Sequence, residues 1–171
     1  RVKITTAALA KQSGISVSAV YRCFSNKSHM FAALIEFIEK TLFVLINKIL
    51  QEEQSNAKQI ENLLLLLLGF SQKNPGMTRI LIGDALINEN DHLQLRIHQL
   101  HDRLEATLKQ ALRFAVSEQQ LTADVDIAAQ ANLFMCFVIG CWYQFVNSGF
   151  RRDPLANWET QRMTLLPKEL L

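Results

Sequence analysis

The side chains best suited to chemistry in this sequence are concentrated in residues 18–31. Tyr21, Arg22, Cys23 and Lys27 lie close together there, among residues that otherwise look like helical core. A cysteine beside a cation could act as a nucleophile, because the positive charge stabilises its thiolate. Tyrosine, arginine and lysine on one surface could instead hold the phosphates of a polyanion.

The position of Cys23 favours packing over catalysis. Reactive cysteines lie at a helix N-terminus or face a base, whereas Cys23 lies near the C-terminal end of a predicted short helix. Cys136 and Cys141 stand in apolar company between Phe134 and Trp142. We therefore predict that all three cysteines pack as reduced thiols, as expected in a reducing compartment.

A second candidate for chemistry is the pair His98 and His101, with Asp102 adjacent. Two histidines three residues apart share a helix face and could begin a metal site, but the sequence offers no second ligand set at a matching position. It also contains no phosphate loop, catalytic triad or carboxylate pair. The sequence predicts no metal, no cofactor and no enzymatic activity.

The elements that carry these residues are predicted to be helices throughout, because six glycines and three prolines in 171 residues leave few turn signals. Apolar residues recur every three or four positions, and no strand-like alternation or internal repeat is present. The fold class is therefore all-α. The predicted helices span residues 5–13, 16–24, 27–52, 57–73, 77–88, 91–120, 123–147 and 154–166.

Two apolar runs, residues 63–70 and 133–143, resemble membrane segments in composition only. Each is shorter than the roughly 20 residues that a spanning helix needs, so both are predicted to be buried helix faces, with no membrane as partner. The helix at 123–147 is apolar almost all round. It is either a central core element or half of a dimer interface.

Charge is unevenly distributed along the chain. Residues 1–35 contain five cations and no carboxylate, since the first acidic residue is Glu36, while the rest of the chain has more acids than bases. A basic head on a mildly acidic body indicates a polyanionic partner for the head.

Spacing within the head matches a helix-turn-helix. Ala10 is small enough for a second helix to cross above it, Gly14 suits the tight turn, and Val20 and Cys23 fill the space between the helices. Val17, which faces outward with its neighbours on the second helix, would then enter a major groove of DNA. The predicted DNA-binding residues are Thr5, Val17, Ser18, Tyr21, Arg22 and Lys27.

The segment TTAALAKQSGISVSAVYRCFSNKSHMF resembles the DNA-binding domain of the TetR family of regulators. In that family the recognition helix usually ends in an aromatic-x-His-Phe sequence, and here Cys23 replaces the histidine. The resemblance implies a helix-turn-helix domain at residues 1–26 and a helical dimerisation and partner-binding domain at 27–171. The family's first helix is expected to precede this chain.

Beyond the head, LIEFIE at 34–39, LLLLLLGF at 63–70 and NPGMTRILIGDAL at 74–86 are similar to one branch of that family, the nucleoid occlusion factors, as is the sequence at 93–113. This resemblance implies a homodimer, paired through the last two helices and bound to palindromic double-stranded DNA. It also implies binding to the tubulin-like GTPase FtsZ, which blocks division-ring assembly over the chromosome, and a location in the cytoplasm on the nucleoid.

In that branch the FtsZ tail binds between the helices that correspond here to residues 27–52 and 57–73. The residues matching the family's groove are Phe37, Leu66, Gly69, Lys73 and Asn74. Apolar contact, close backbone approach and a positive charge suit an acidic, partly apolar peptide. Phe37 and Leu66 could equally be ordinary core residues. One departure from the family is Leu45, where an arginine is common.

Two alternatives remain open at the level of sequence. One is a ligand-responsive TetR-type repressor, which would need a cavity with a few convergent polar groups. The other is a helical interaction protein whose head does not bind DNA.

Overall fold

A computed structural model describes residues 26–171 of the chain, and over this range it is helical and contains no strand. The all-α prediction is confirmed. The helices of the described part are α1 (Lys27–Glu52), α2 (Asn56–Lys73), α3 (Pro75–Leu81), α4 (Asp91–Ser117), α5 (Ile127–Asn147) and α6 (Trp158–Leu165), with short 3-10 turns at Asp84–Leu86 and Lys168–Leu170.

α1 and α2 form an antiparallel hairpin. The Asn26 side chain begins α1 by accepting a hydrogen bond from the His29 amide at 2.8 Å, which satisfies an otherwise unpaired N–H of the first turn. At the far end, the Gln59 side chain donates to the carbonyls of Leu50 and Glu53. These bonds fix the connection between the two helices, and the bounds predicted for both are confirmed to within one residue.

The Asn74-Pro75-Gly76 sequence stops α2, as predicted, but it also begins the next helix. Pro75 occupies the first turn of α3, where its missing N–H is not needed. The helix predicted at 77–88 is wrong in its second half. α3 ends at Leu81, because Gly83 takes a left-handed backbone with φ of 78°, and a single 3-10 turn follows.

Three further helix ends differ from prediction. α4 stops at Ser117 rather than 120, and Gln119 follows it with a positive φ of 59°. α5 begins at Ile127 rather than 123, because the Asp126 carboxylate caps it by accepting from the Ala129 amide at 3.0 Å. α6 begins at Trp158 rather than 154, since the preceding residues form turns.

The core lies where α2, α4 and α5 meet. Trp142 on α5 has no exposed surface, and its indole N–H donates to the Leu67 carbonyl on α2 at 3.0 Å. The His101 ring on α4 packs against it with 6.0 Å between centroids. A single large side chain therefore joins three helices.

Ion pairs at the edges tie the outer helices to this core. The Arg96 guanidinium on α4 pairs with Glu39 on α1 at 3.1 Å. Arg162 on α6 holds both carboxylate oxygens of Glu61 on α2, at 2.7 and 2.9 Å. The second pair is bidentate, which fixes orientation as well as distance, so it anchors the short last helix.

His101 makes the stability of this packing depend on pH. Burial is the main cause that lowers the pKa of His101 below its usual 6.5, against the opposing effect of its 2.6 Å contact with the Leu81 carbonyl. Since a carbonyl only accepts, the ring Nε2 carries the hydrogen. His101 therefore supports folding fully above about pH 6.5, and this contribution is lost as pH falls through the lowered value.

We expect His101→Gln to reduce this loss of stability in acid. The free energy of unfolding, measured by urea titration at pH 7.5 and pH 5, should fall more in the parent protein than in the variant. His92→Gln, at an exposed position on the same helix, is the matched control. An equal fall in parent and His101→Gln proteins would contradict the assignment.

Candidate partner-binding groove and DNA-facing end

Of the residues predicted to bind DNA, Thr5, Val17, Ser18, Tyr21 and Arg22 lie outside the described range, as do the helices predicted at 5–13 and 16–24 and the packing role of Cys23. Lys27 is described. It is the first residue of α1, so it lies at the end of the body that joins the head.

Lys27 is engaged with the body of the protein. Its ammonium lies 2.6 Å from a Glu89 carboxylate oxygen and over the ring of the buried Phe31, 5.5 Å from the ring centroid. The Lys27 side chain is 36% exposed and that of Glu89 only 12%. The Lys27 side chain thus remains partly open to solvent.

The predicted groove lies on the flank of the α1–α2 hairpin. Phe37 on α1 is 52% exposed, so it is a surface residue and not core. Leu66 on α2 is half-buried and packs against the core with one side. The sequence left open whether these residues contact a partner or belong to the core. The exposure of Phe37 fits a contact surface, whereas the half-buried Leu66 fits either role.

A cleft of about 420 Å³ continues this surface towards the connection between the helices. Its lining includes Leu45 and Leu66 as apolar residues and Lys48, Glu52 and Glu53 as charged ones. Leu45, which stands where the family commonly has arginine, is 37% exposed. The departure therefore exchanges a cation for apolar surface in this cleft.

The remaining predicted residues lie at the other end of α2. A side chain added at Gly69 would meet no atom within 4 Å, so the backbone there is open to approach. Lys73 is exposed in the last turn. Asn74 caps that turn, its side-chain amide donating to the Phe70 carbonyl at 2.8 Å.

Sequence matching missed three neighbours on α1. Val44 is 67% exposed, and Lys40 and Lys48 are also exposed. Lys40, Val44 and Lys48 are each four residues apart, and Val44 follows Phe37 by seven residues. These spacings place the four side chains on one face of the helix. A helical wheel of residues 27–52 could have found them. The face combines apolar side chains with cations, and it also carries Glu36, which pairs with Lys40 at 2.9 Å.

A second surface lies on α5. Its core side carries Phe134 and Trp142, whereas Leu133 and Tyr143 on the other side are 49% and 57% exposed. Cys136 and Gly140 lie between them and are also exposed. Small residues at such positions let two helices approach closely. Of the two alternatives left open for this helix, an exposed face of this kind favours half of a dimer interface over a central core element.

The two described cysteines differ. Cys141 is half-buried against the core, and burial raises the pKa of its thiol to about 11, so it packs as predicted. Cys136 is exposed, which corrects the prediction that it packs within its own chain. The sulfur instead lies 3.6 Å from the Asn132 side-chain oxygen on the same open face.

By length and composition alone, α5 is long and apolar enough to cross a membrane, and one third of the apolar window is buried within the chain. Core helices of globular proteins meet the same criterion. Within residues 26–171, no group of three or more metal-binding side chains occurs. His98 lies 6.4 Å from His101 between ring centroids, and His101 is occupied by Leu81 and Trp142.

Two family models match the chain. Residues 3–34 match the model of bacterial regulatory proteins of the tetR family. Residues 54–170 match a tetracyclin repressor-like C-terminal domain of the SlmA-like type. Together they cover the predicted head and most of the helical body.

Curated relatives extend over nearly the whole chain, and the relatives described here are all named nucleoid occlusion factor SlmA. The protein of Alteromonas mediterranea is 47% identical over 93% of this chain and 82% of its own. That of Marinomonas sp. is 44% identical over 99% of this chain and 85% of its own. That of Cronobacter sakazakii is 44% identical over 98% and 84%.

Solved structures of more distant proteins share the fold. FadR from Bacillus subtilis, determined with stearoyl-CoA, aligns with a TM-score of 0.68 at 14% identity, covering 95% of this chain and 87% of its own. FadR from Bacillus halodurans gives 0.70 at 15% identity, with coverage of 96% and 88%. At such identities the likeness concerns architecture alone.

Proposed function

Because the chain belongs to the TetR family, in its group of SlmA nucleoid occlusion factors, we propose that it acts as a DNA-bound homodimer that binds FtsZ. In doing so it prevents division rings from assembling over the chromosome. The mechanism is binding rather than catalysis, and it places the protein in the cytoplasm on the nucleoid. The observation that carries the FtsZ assignment is the exposed apolar surface on the flank of the α1–α2 hairpin, on which Lys48 and Lys73 are exposed cations.

DNA binding falls to the head at residues 1–26 and to Lys27. The side chains of Tyr21 and Arg22 stand on the predicted recognition helix, and Lys27 follows it at the junction with the body. A dimer presents two such heads, so the site it reads is palindromic, with half-sites one helical turn or a multiple of it apart.

The dimer forms through α5 and α6, the last two helices. The open face of α5 supports this pairing, because Leu133 and Tyr143 would otherwise expose large apolar area to water. Met163 on α6 is 55% exposed and extends the same apolar character to the last helix. A second copy of the chain covers both helices.

The FtsZ tail lies along the groove between α1 and α2. Phe37 and Leu66 supply apolar contacts, Gly69 lets the peptide backbone approach, and Lys73 attracts acidic side chains. The open space at Gly69 supports its role, since a peptide can lie against the helix there. Asn74 completes the set at the C-terminal end of α2.

The ligand-responsive repressor is not the better supported alternative. Such a protein binds its ligand inside the body, where Trp142, Phe134 and Phe31 have no exposed surface. The clefts described among residues 26–171 open on the exterior. The nucleoid occlusion assignment rests on relatives that match nearly the full chain, whereas the FadR likeness gives the fold only.

We expect Lys73→Glu to weaken FtsZ antagonism by about tenfold while leaving DNA affinity intact. Reversing one charge at a surface that meets an acidic peptide costs on the order of 1–2 kcal/mol. FtsZ polymer sedimentation in GTP, with and without DNA, measures the effect. Arg113→Glu, an exposed charge reversal on α4, is the control.

The companion variant Arg22→Ala should show the opposite pattern, with weaker DNA binding and an intact groove. DNA titrations of all three variants at several salt concentrations complete the comparison. Equal FtsZ antagonism in Lys73→Glu and Arg113→Glu would remove the groove from the proposal. If the parent protein leaves the amount of sedimented FtsZ polymer unchanged, FtsZ is not the partner.

A further inference from the structure

The junction between head and body contains an ion pair whose cation has two possible partners. Lys27 is the only residue of the proposed DNA-contacting set that the described structure includes, and its ammonium is bound to Glu89 at 2.6 Å. A lysine carries a single positive charge on a compact ammonium, so a carboxylate in contact with it offsets part of that charge. Contact with a DNA phosphate would therefore draw on the same group that Glu89 holds.

Glu89 is held more firmly than Lys27. Its amide donates to the Leu86 carbonyl at 3.0 Å, and the Gln94 side chain donates to that same carbonyl at 3.0 Å. The next residue, Asn90, caps α4 by accepting from the His92 amide. The carboxylate thus stands on a short segment fixed at both ends.

Lys27, in contrast, can move away from Glu89. Its stem is a flexible chain, and 36% of the side chain is exposed. The ammonium also lies over the Phe31 ring, 5.5 Å from the centroid, which is a weak contact at a partly exposed site. Of the two partners in the pair, the lysine is the one that can move, and it directly follows the proposed DNA-binding head in the sequence.

We propose that Glu89 competes with DNA for Lys27, so that DNA binding transfers the ammonium from Glu89 to a backbone phosphate. This inference rests on the proposed DNA contact of Lys27. It assigns Glu89 a regulatory role, because the carboxylate lowers DNA affinity. Linkage then requires that bound DNA weakens the Lys27–Glu89 ion pair by the same factor.

The test is a double-mutant cycle of Lys27→Gln and Glu89→Gln, titrated against a duplex that the parent protein selects from random sequence. Glu89→Gln should raise DNA affinity by about two- to fivefold, the range expected for freeing a partly exposed ion pair. In the Lys27→Gln background the same change should have no effect. A general loss of negative charge near DNA would raise affinity in both backgrounds, and that result would overturn the competition.

Asp91→Asn is the matched control, since it neutralises an exposed acid two positions from Glu89. It should leave DNA affinity unchanged in both backgrounds. A rise equal to that of Glu89→Gln would show a general effect of charge and would overturn the competition. Lower affinity in Glu89→Gln would instead make Glu89 a positioning residue and would overturn the proposal.

The Lys27→Gln variant separately tests the DNA contact on which the inference rests. Loss of one phosphate contact should make the slope of log affinity against log salt shallower by about 0.9. An unchanged slope removes Lys27 from the DNA-binding set. A shallower slope together with an inert Glu89→Gln keeps the DNA contact and removes the competition.

Discussion

Gly140→Arg should convert the protein to a monomer and lower its affinity for a palindromic duplex by at least about a hundredfold. The substitution places a long cation in the middle of the open α5 face, where a second copy packs closely in the proposed dimer. An unpaired charge buried in such an interface costs several kcal/mol. A single head then loses the avidity of two, a factor on the order of 10² to 10⁴.

The fold of the monomer should survive this change, because a side chain at Gly140 meets no atom of its own chain within 4 Å. Analytical ultracentrifugation measures the oligomeric state, and circular dichroism the helix content. Gln110→Arg adds the same charge on the exposed side of α4 and should leave the dimer intact. A dimeric Gly140→Arg protein would exclude the α5 face as the interface.

Trp142→Ala should lower the free energy of unfolding by about 3–5 kcal/mol, the cost of emptying a large buried aromatic site. The loss is large because this side chain fills the space between three helices and also donates to the Leu67 carbonyl. Trp142→Phe keeps most of the volume and loses the hydrogen bond. It should cost less than half as much.

Urea unfolding followed by circular dichroism measures both variants, at one protomer concentration because dimerisation contributes to stability. Phe37→Ala is the control. It removes an aromatic ring that is 52% exposed and should cost less than about 1.5 kcal/mol. Similar losses for Trp142→Ala and Phe37→Ala would mean that Trp142 does not hold the helices together.

The sequence predicted the helices of the body well where periodicity alone determines them. The long apolar spacing of residues 27–52 and the leucines of 57–73 each define one buried stripe. It failed at ends that depend on single backbone angles or caps. Nothing in the periodicity of residues 77–88 reveals that Gly83 takes a left-handed conformation and stops the helix early.

The candidate sites also contain features that the sequence could predict and features that it could not. Matching to the family selected Phe37 and Lys73, and their exposure agrees with a contact surface. The sequence could not show that Leu45 lines a cleft with Leu66, because that depends on how two helices pack. Nor could it pair Lys27 with Glu89, since the partners are far apart in sequence and meet only when α4 folds against α1.

Trp142 also bears on the kind of signal that this protein can register. Its side chain fills the space between α2, α4 and α5, so a ligand could enter at that point only by displacing it. Under the proposed function the signals are contacts on the outside of the body, with a duplex at one end and a peptide along one flank. The output of a protein that works in this way depends on where the chromosome lies in the cell.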